Sequence, residues 1–239
     1  MSLLLSRRSN ANCIQEGFIK AVEGNCGGLK PSQLRALERL YRRKTPNNVI
    51  ISPELGGSLC KISKETGRQI ALLIDRRGKV TYVIVGDQKE IMIPPLSRAR
   101  IGPGRLRGLR LVHTHLKNEP LSRDDLTDLA LLRLDIVMAI GASETGDTES
   151  AYVAYLNPDG EAAEPWITMD RQDFKSFDFQ FDQFIDDLEK ELSKKDRPKT
   201  VKGELRAVLT HISNLPGGEA EERLAELTEL CETENIIAI

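Results

Sequence analysis

The stretch IALLIDRRGKVTYVIV, residues 70–85, decides the fold of this 239-residue chain. Residues 70–74 are uniformly apolar, which is typical of a strand that is buried on both faces. Asp75-Arg76-Arg77-Gly78 has the composition of a tight turn, and the β-branched run at 80–85 supplies a returning strand. The stretch therefore predicts a buried β-hairpin.

Two helices are expected before the hairpin. Apolar residues at helical spacing predict a first helix from residue 31 to about residue 44. Ser52 followed by Pro53 predicts the N-cap and the first residue of a second helix.

Helices and strands alternate after the hairpin. Short apolar segments predict strands at 91–93, 109–115, 136–140 and 151–156, with a helix at 122–135. This alternation predicts an α/β fold, an α+β sandwich in which helices flank a mixed sheet.

The composition changes near residue 195. An acidic amphipathic helix ends there, residues 196–204 form a polar, basic linker, and residues 205–239 predict one strand, one helix and a second strand. We therefore expect a first domain at 1–195, a linker at 196–204 and the truncated start of a second domain at 205–239. Two strands and a helix with nothing further to pair against do not make a stable domain.

The overall composition limits the class of protein. A net charge of −2 and 40% hydrophobic residues are ordinary for a globular chain. No apolar run approaches the roughly 20 residues that cross a bilayer, and residues 1–8 do not form a signal peptide. We expect a cytoplasmic protein without membrane contact. The four cysteines form no CxxC pair, which predicts reduced thiols.

Motifs of nucleotide chemistry are absent from the sequence. It contains no GxxxxGK[ST] phosphate loop, no GxGxxG fingerprint and no GxSxG nucleophile elbow. We therefore expect no nucleotide chemistry within these residues.

The clearest chemical motif is His113-Thr114-His115 followed by Ser122 and Asp125. Two histidines at i and i+2 of a strand point to the same face, and Asp125, in the first turn of the next helix, can reach back toward them. Two imidazoles and a carboxylate, with water as the fourth ligand, are typical of a catalytic zinc site. Ser122 would orient the bound water or an oxyanion.

A structural alternative explains the same residues without a metal. Ser122 and Asp125 have the spacing of a capping box, which stabilises many helix starts. Two histidines at the end of a strand can also be ordinary polar residues with hydrogen-bond partners.

This motif and the preceding hairpin resemble the JAMM/MPN metalloproteases and their RadC-like relatives over residues 70–141. The resemblance implies His113, His115 and Asp125 as metal ligands, Ser122 as a polar helper, and a zinc-dependent hydrolase as an alternative function. Six residues separate His115 from Ser122, one fewer than in the family. Gly67-Arg68-Gln69 stands where the family has its general-base glutamate, and Glu65 is the nearest carboxylate. A degenerate JAMM-like scaffold without metal is therefore also open.

Basic residues cluster on the first predicted helix. They are Arg35, Arg39, Arg42, Arg43 and Lys44. If the segment 98–110 folds beside them, further arginines join the patch, namely Arg98, Arg100, Arg105, Arg107 and Arg110. Such a patch can contact RNA phosphates, although a solvated helix face has the same composition.

Longer phrases carry a second resemblance. Residues 24–43, 51–55, 67–70, 75–78 and 111–116 are similar to the N-terminal extension of HflX-family ribosome-associated GTPases. Residues 206–209 and 222–232 are similar to the opening of the HflX-specific domain. The resemblance implies that this chain is the accessory region of a GTPase that binds the large ribosomal subunit. Contact with the ribosome or its rRNA, contact with another protein, regulation and stability are all open as roles of the region itself. The resemblance also implies that GTP and Mg²⁺ bind in a GTPase domain absent from this chain.

Overall fold

The computed structural model describes residues 21–96, 104–159, 162–195, 205–210, 217–234 and 236–238. The chain forms two compact units, of which the first ends at Lys194 and the second begins at Lys195. The linker predicted at 196–204 lies outside the described residues, as does the segment 1–8.

The first unit is built on a mixed sheet. Its strands are β1 (Glu23–Gly24), β2 (Ile70–Asp75), β3 (Val80–Val85), β4 (Leu109–His115), β5 (Ile136–Ala142), β6 (Thr148–Leu156), β7 (Trp166–Thr168) and β8 (Gln172–Asp173). Their order is β1-β3-β2-β4-β5-β6-β7, and β8 also pairs with β6. The pairs β1–β3 and β4–β5 are parallel, and the other pairs are antiparallel. The predicted mixed α/β class is confirmed.

The helices of this unit are α1 (Pro31–Leu40), α2 (Pro53–Thr66), α3 (Arg123–Leu132) and α4 (Phe181–Lys195). The predicted start of α2 is confirmed, because the Ser52 hydroxyl accepts a hydrogen bond from the Leu55 amide at 3.4 Å. The predicted end of α1 near residue 44 is wrong. Lys44 pairs with Lys79 in an isolated bridge, and the Thr45 amide donates to the Gly78 carbonyl at 2.9 Å.

Helices α2 and α3 cover opposite faces of the sheet. The Thr114 hydroxyl of β4 donates to the Ser63 hydroxyl of α2 at 2.7 Å, whereas its neighbours His113 and His115 face Asp125 of α3. Alternate residues of a strand point to opposite faces, so β4 faces both helix layers. Because helices cover both faces of the sheet, residues 70–74 are all buried.

The predicted hairpin is confirmed, with β2 and β3 antiparallel across the turn. Gly78 has a φ of +79°, and a Cβ there would lie 1.8 Å from the Thr45 carbonyl oxygen. The strand predicted at 91–93 is wrong. Asp87 accepts hydrogen bonds from the Lys89 and Glu90 amides in a turn, and the chain at 91–96 is irregular.

The second unit contains β9 (Leu205–Ala207), α5 (Gly217–Thr233) and β10 (Ile236–Ala238). β9 and β10 pair in parallel, with Ile236 opposite Leu205. Among the described residues of both units, no helix has the length and apolar character needed to cross a bilayer.

Arg76 joins the hairpin turn to β5 and α4. Its Nε donates to Asp135 Oδ2 at 2.6 Å, and its Nη1 donates to Glu189 Oε2 at 2.9 Å. Asp135 is fully buried and also accepts from the Gly108 amide at 2.7 Å. Burial raises the pKa of Asp135 even though Arg76 opposes this change. Arg76 is therefore the hydrogen-bonded counter-charge of the buried carboxylate, and the charge of Arg110 also acts on it.

The substitution Arg76→Leu should lower the free energy of unfolding. It leaves the buried Asp135 without its hydrogen-bonded counter-charge, and breaking such a pair costs about 3 kcal/mol. Urea denaturation followed by circular dichroism measures the change.

Arg77→Leu is the matched control, because Arg77 is exposed in the same turn. We expect its effect to stay within about 0.5 kcal/mol. The double variant Arg76→Leu/Asp135→Asn should recover part of the loss, since it removes the uncompensated charge. Equal stability of the Arg76 and Arg77 variants would contradict this account of the ion pair.

Candidate metal centre

Strand β4 presents two imidazoles to α3. His113 lies opposite Ala71 of β2 and Ala139 of β5, and His115 lies opposite Gly141 of β5. Directly opposed residues share a face of the sheet, so these small neighbours leave room for both rings. The ring centroids are 4.8 Å apart with an interplanar angle of 84°.

The carboxylate of Asp125 faces both rings from the first turn of α3. Its Oδ1 lies 3.5 Å from His113 Nε2, and its Oδ2 lies 3.6 Å from His115 Nε2. Oδ2 also accepts hydrogen bonds from the amide and the hydroxyl of Ser122, both at 2.7 Å. The Asp125 amide in turn donates to the Ser122 hydroxyl at 3.2 Å. The cap and the ligand interpretations of these residues are therefore compatible.

The three side chains form a compact donor set. One ligand atom from each of His113, His115 and Asp125 lies within 4.8 Å of the others. The His113 ring is fully buried, and neither of its nitrogens has a hydrogen-bond partner among the described residues. Buried polar atoms without partners are costly and uncommon. A divalent metal held at Nε2 would give one of these atoms a partner, so the residues fit a metal.

The pKa values of the three side chains act on metal binding in different directions: those of His113 and Asp125 favour it, and that of His115 opposes it. Burial lowers the pKa of His113 to about 4, with Asp125 opposing the change and His115 adding to it. Burial disfavours the charged form of His115 as well, but contacts with Asp125 and Glu119 raise its pKa above the usual value. Burial opposes ionisation of Asp125, yet the two rings and Ser122 hold the pKa of that carboxyl well below its usual range. The centre thus offers one neutral imidazole and a carboxylate at neutral pH.

A backbone carbonyl sets the tautomer of His115. Nδ1 of His115 lies 2.7 Å from the carbonyl oxygen of Glu119. A carbonyl can only accept, so Nδ1 carries the hydrogen and the lone pair of the neutral ring is on Nε2, which faces Asp125. Metal-binding histidines commonly have such a partner on the second nitrogen. The sequence motif did not predict the contact with Glu119, because any residue has a backbone carbonyl and the contact does not depend on the side chain.

Two further carboxylates, Glu65 and Asp128, do not belong to the donor set. Glu65 is exposed on α2, which covers the opposite face of the sheet, so it does not meet the histidines. Asp128 lies one turn after Asp125 on α3. Burial raises the pKa of Asp128, and the charges of Asp125 and Asp124 add to that effect.

A basic groove forms a second feature of the surface. Arg39, Arg42 and Arg43 line an open groove of about 640 Å³ together with Lys61 of α2. The other lining residues are Ser32, Ala36, Leu40, Ser58, Ile62 and Glu65. The sequence motif predicted the three arginines but missed Lys61, because the packing of α1 on α2 brings it to them. The lining of the groove therefore combines four cationic side chains, one carboxylate and several apolar side chains.

The remaining predicted basic residues lie elsewhere. Arg35 is exposed on α1 but does not line the groove. Lys44 lines a separate concavity with Arg76 and Arg77. The predicted patch is therefore divided between two concavities and the open face of α1.

Arg110 does not belong to any surface patch, which corrects the sequence prediction. Its side chain is fully buried, and its guanidinium carbon lies 4.3 Å from the centroid of the Phe181 ring. Burial lowers the pKa of Arg110 to about 10. Alternation along β4 points this residue into the core, where stacking on the aromatic ring stabilises the cation. Arg98 and Arg100 lie outside the described residues.

Comparison with protein-family models, curated proteins and solved structures finds no match to this chain. The HflX and JAMM resemblances therefore stay predictions from residue patterns. Function is therefore inferred from the geometry of the His113–His115–Asp125 centre and of the basic groove.

Protons should compete with zinc at this centre in two stages. The raised pKa of His115 means that its ring takes up a proton at a higher pH than an ordinary histidine. Below that pKa, zinc affinity should fall about tenfold per pH unit, because one proton must leave for each metal bound. His113, with a pKa of about 4, adds a second proton only near that pH. Competition with a chromophoric chelator over a pH series measures the affinity.

The carboxylate of Asp125 should not contribute to this loss, because its lowered pKa keeps it ionised through the first stage. An affinity that stays constant across the titration of His115 would exclude that ring as a ligand.

Proposed function

We propose that this chain is an accessory region of an HflX-type GTP-binding protein that holds a divalent metal ion, foremost zinc, at His113, His115 and Asp125. The observation that carries the metal proposal is the donor set itself, whose ligand atoms lie within 4.8 Å of one another and include a buried imidazole that has no hydrogen-bond partner in the described part of the chain.

The chemistry of the donors favours zinc. Two imidazole nitrogens and one carboxylate oxygen are a common ligand set for Zn²⁺, and three protein ligands leave one position open. A metal held by these three ligands would supply Lewis acidity or a bound water of lowered pKa. The residues of the chain would orient its ligands, because Ser122 fixes Asp125 and the Glu119 carbonyl fixes His115.

A zinc-dependent hydrolase of the JAMM type is the alternative. Three protein ligands would leave a fourth position of a zinc ion for water, which favours the hydrolase, and so does the raised pKa of Asp128 one turn from Asp125 on α3. Against it stands the location of Glu65 on the opposite side of the sheet, away from any metal-bound water. General-base catalysis requires a group within hydrogen-bond reach of that water. We therefore place the accessory role first.

The proposed assignment to HflX-type proteins rests on the phrases at 24–43 and 111–116. Since the sequence has no phosphate-binding loop, GTP and Mg²⁺ would bind in a GTPase domain outside this chain. A cytoplasmic location follows from that proposal.

The proposed partner is the large ribosomal subunit, through its rRNA. The basic groove supports this part of the proposal, because Arg39, Arg42, Arg43 and Lys61 concentrate positive charge on one surface of a chain whose net charge is −2. Clustered cations bind the phosphate backbone of RNA with a strong dependence on salt.

The wild-type chain, expressed with added zinc and purified, should contain stoichiometric zinc by inductively coupled plasma mass spectrometry. The double variant His113→Ala/His115→Ala should contain none, because two of three ligands are missing. Asp125→Asn should bind zinc weakly while it keeps an oxygen that can accept the Ser122 hydrogen bonds.

Arg123→Ala is the matched control for this experiment, because Arg123 is exposed and directly follows Ser122 in the first turn of α3. It should retain zinc, since all three ligand atoms and the Ser122 hydrogen bonds remain. A wild-type chain without zinc would end the metal proposal. Turnover of a peptide or isopeptide by the zinc-loaded chain would favour the hydrolase over the accessory role.

Binding of the chain to large ribosomal subunits should weaken when Arg39, Arg42 and Arg43 are changed together to Glu. Each lost phosphate contact should reduce the slope of log affinity against log salt by about one unit. Sedimentation with purified subunits over a salt series measures both the affinity and the slope.

The matched control is the triple change of Lys79, Lys89 and Lys175 to Glu, which reverses the same charge at exposed sites outside the groove. Binding that both triple variants weaken equally would show that net charge, and not the groove, determines the affinity. Binding that is indifferent to salt would argue against an RNA partner.

A further inference from the structure

The turn that follows β4 is held by one asparagine. Asn118 has a φ of +59°, and its amide donates to the His115 carbonyl at 3.4 Å. Asparagine adopts this left-handed conformation more readily than most residues with a side chain. The turn places Glu119, the next residue, with its carbonyl oxygen 2.7 Å from His115 Nδ1.

Three residues of β6 anchor Asn118. The Ser150 hydroxyl donates to the Asn118 side-chain oxygen, and the Asn118 side-chain amide donates to Glu149 Oε1 at 2.8 Å. The Tyr152 hydroxyl donates to the Asn118 backbone carbonyl at 3.0 Å. Both the side chain and the backbone of Asn118 are therefore tied to a strand that is not adjacent to β4.

The hydrogen bonds between Asn118 and β6 cross β5, and they can do so only because Gly141 of β5 has no side chain. Gly141 pairs with His115 on one side and with Ser150 on the other. A Cβ at this position would lie 1.8 Å from the Asn118 side-chain oxygen. The close approach over Gly141 thus connects the turn after one metal ligand to the far side of β5.

We propose that Asn118 is a positioning residue of the metal centre. By fixing the turn, it holds the Glu119 carbonyl on Nδ1 of His115, keeps the hydrogen on that nitrogen, and presents the Nε2 lone pair to the metal. The inference deepens the proposed metal-binding function and rests on it for its purpose. The contact between the turn and the ring exists in the metal-free chain, so it can be tested separately.

Asparagine meets two requirements at this position that other residues do not meet together. Glycine accepts the positive φ but has no side chain to hold Ser150 or Glu149. Aspartate can accept from Ser150, but it has no donor for Glu149 and places two carboxylates together. Replacing Glu149 by glutamine restores that hydrogen bond with its direction reversed, which provides a rescue.

The test compares Asn118→Gly, the double variant Asn118→Asp/Glu149→Gln, and Lys117→Ala as a control in the same turn with an exposed side chain. In each metal-free protein, long-range ¹H–¹⁵N NMR of the His115 ring, above the pH of its titration, reports which nitrogen carries the hydrogen. Chelator competition gives the zinc Kd, and thermal unfolding gives the stability.

We expect Asn118→Gly to lose the uniform Nδ1–H tautomer and to raise the zinc Kd by about tenfold or more, the range seen when supporting hydrogen bonds of metal ligands are removed. The double variant should restore both, and Lys117→Ala should change neither. If Asn118→Gly does not fold, Ser150→Ala removes a single anchor and should shift the tautomer in the same direction.

Persistence of the Nδ1–H tautomer in a folded Asn118→Gly protein overturns the proposal, whatever its zinc affinity or stability. A stability change without a tautomer change shows a purely structural role and overturns it equally. If the wild-type chain binds no zinc, the metal-binding function fails, and the tautomer measurement still decides the role of Asn118.

Discussion

One carboxylate connects the chemistry of this chain to its fold. Oδ2 of Asp125 accepts from Ser122 in the first turn of α3 and faces His115, while Oδ1 faces His113. The N-terminus of a helix favours a negative charge, and so would the metal ion proposed at the two imidazoles. Both requirements select an aspartate at this position, because its short side chain serves the cap and the rings together.

The topology of the sheet places this carboxylate. β4 and β5 are parallel, so the chain needs a crossover between them, and α3 provides it. A crossover helix starts from the carboxyl end of the first strand, which is where His115 lies. The three side chains of the proposed metal centre therefore come from the last residues of β4 and the first turn of α3, and they meet without any long-range loop. The turn at Asn118 is supported by β6.

Local patterns in the sequence predicted much of this arrangement. The hairpin at 70–85, the cap at Ser52 and the spacing of His113, His115 and Asp125 depend on alternation, helical periodicity and turn chemistry, all of which act over a few residues. The end of α1, the irregular chain at 91–96 and the burial of Arg110 depend on neighbours distant in sequence. Lys61 and Asn118 were not predicted for the same reason. Lys61 reaches the groove through the packing of α2 on α1, and Asn118 is held by hydrogen bonds to β6. A pattern of residue types does not record which elements become adjacent.

The alternation of side chains along β4 has a consequence for the register in which β4 pairs with β2. Between the two imidazoles, the Thr114 hydroxyl bonds to Ser63 and accepts from the Ile70 amide at 3.0 Å on the opposite face. A slip of one residue against β2 would exchange the two faces. The imidazoles would then press against α2, and the hydroxyl would face Asp125. Polar chemistry on both sides thus selects a single register for a strand whose apolar residues alone would tolerate several.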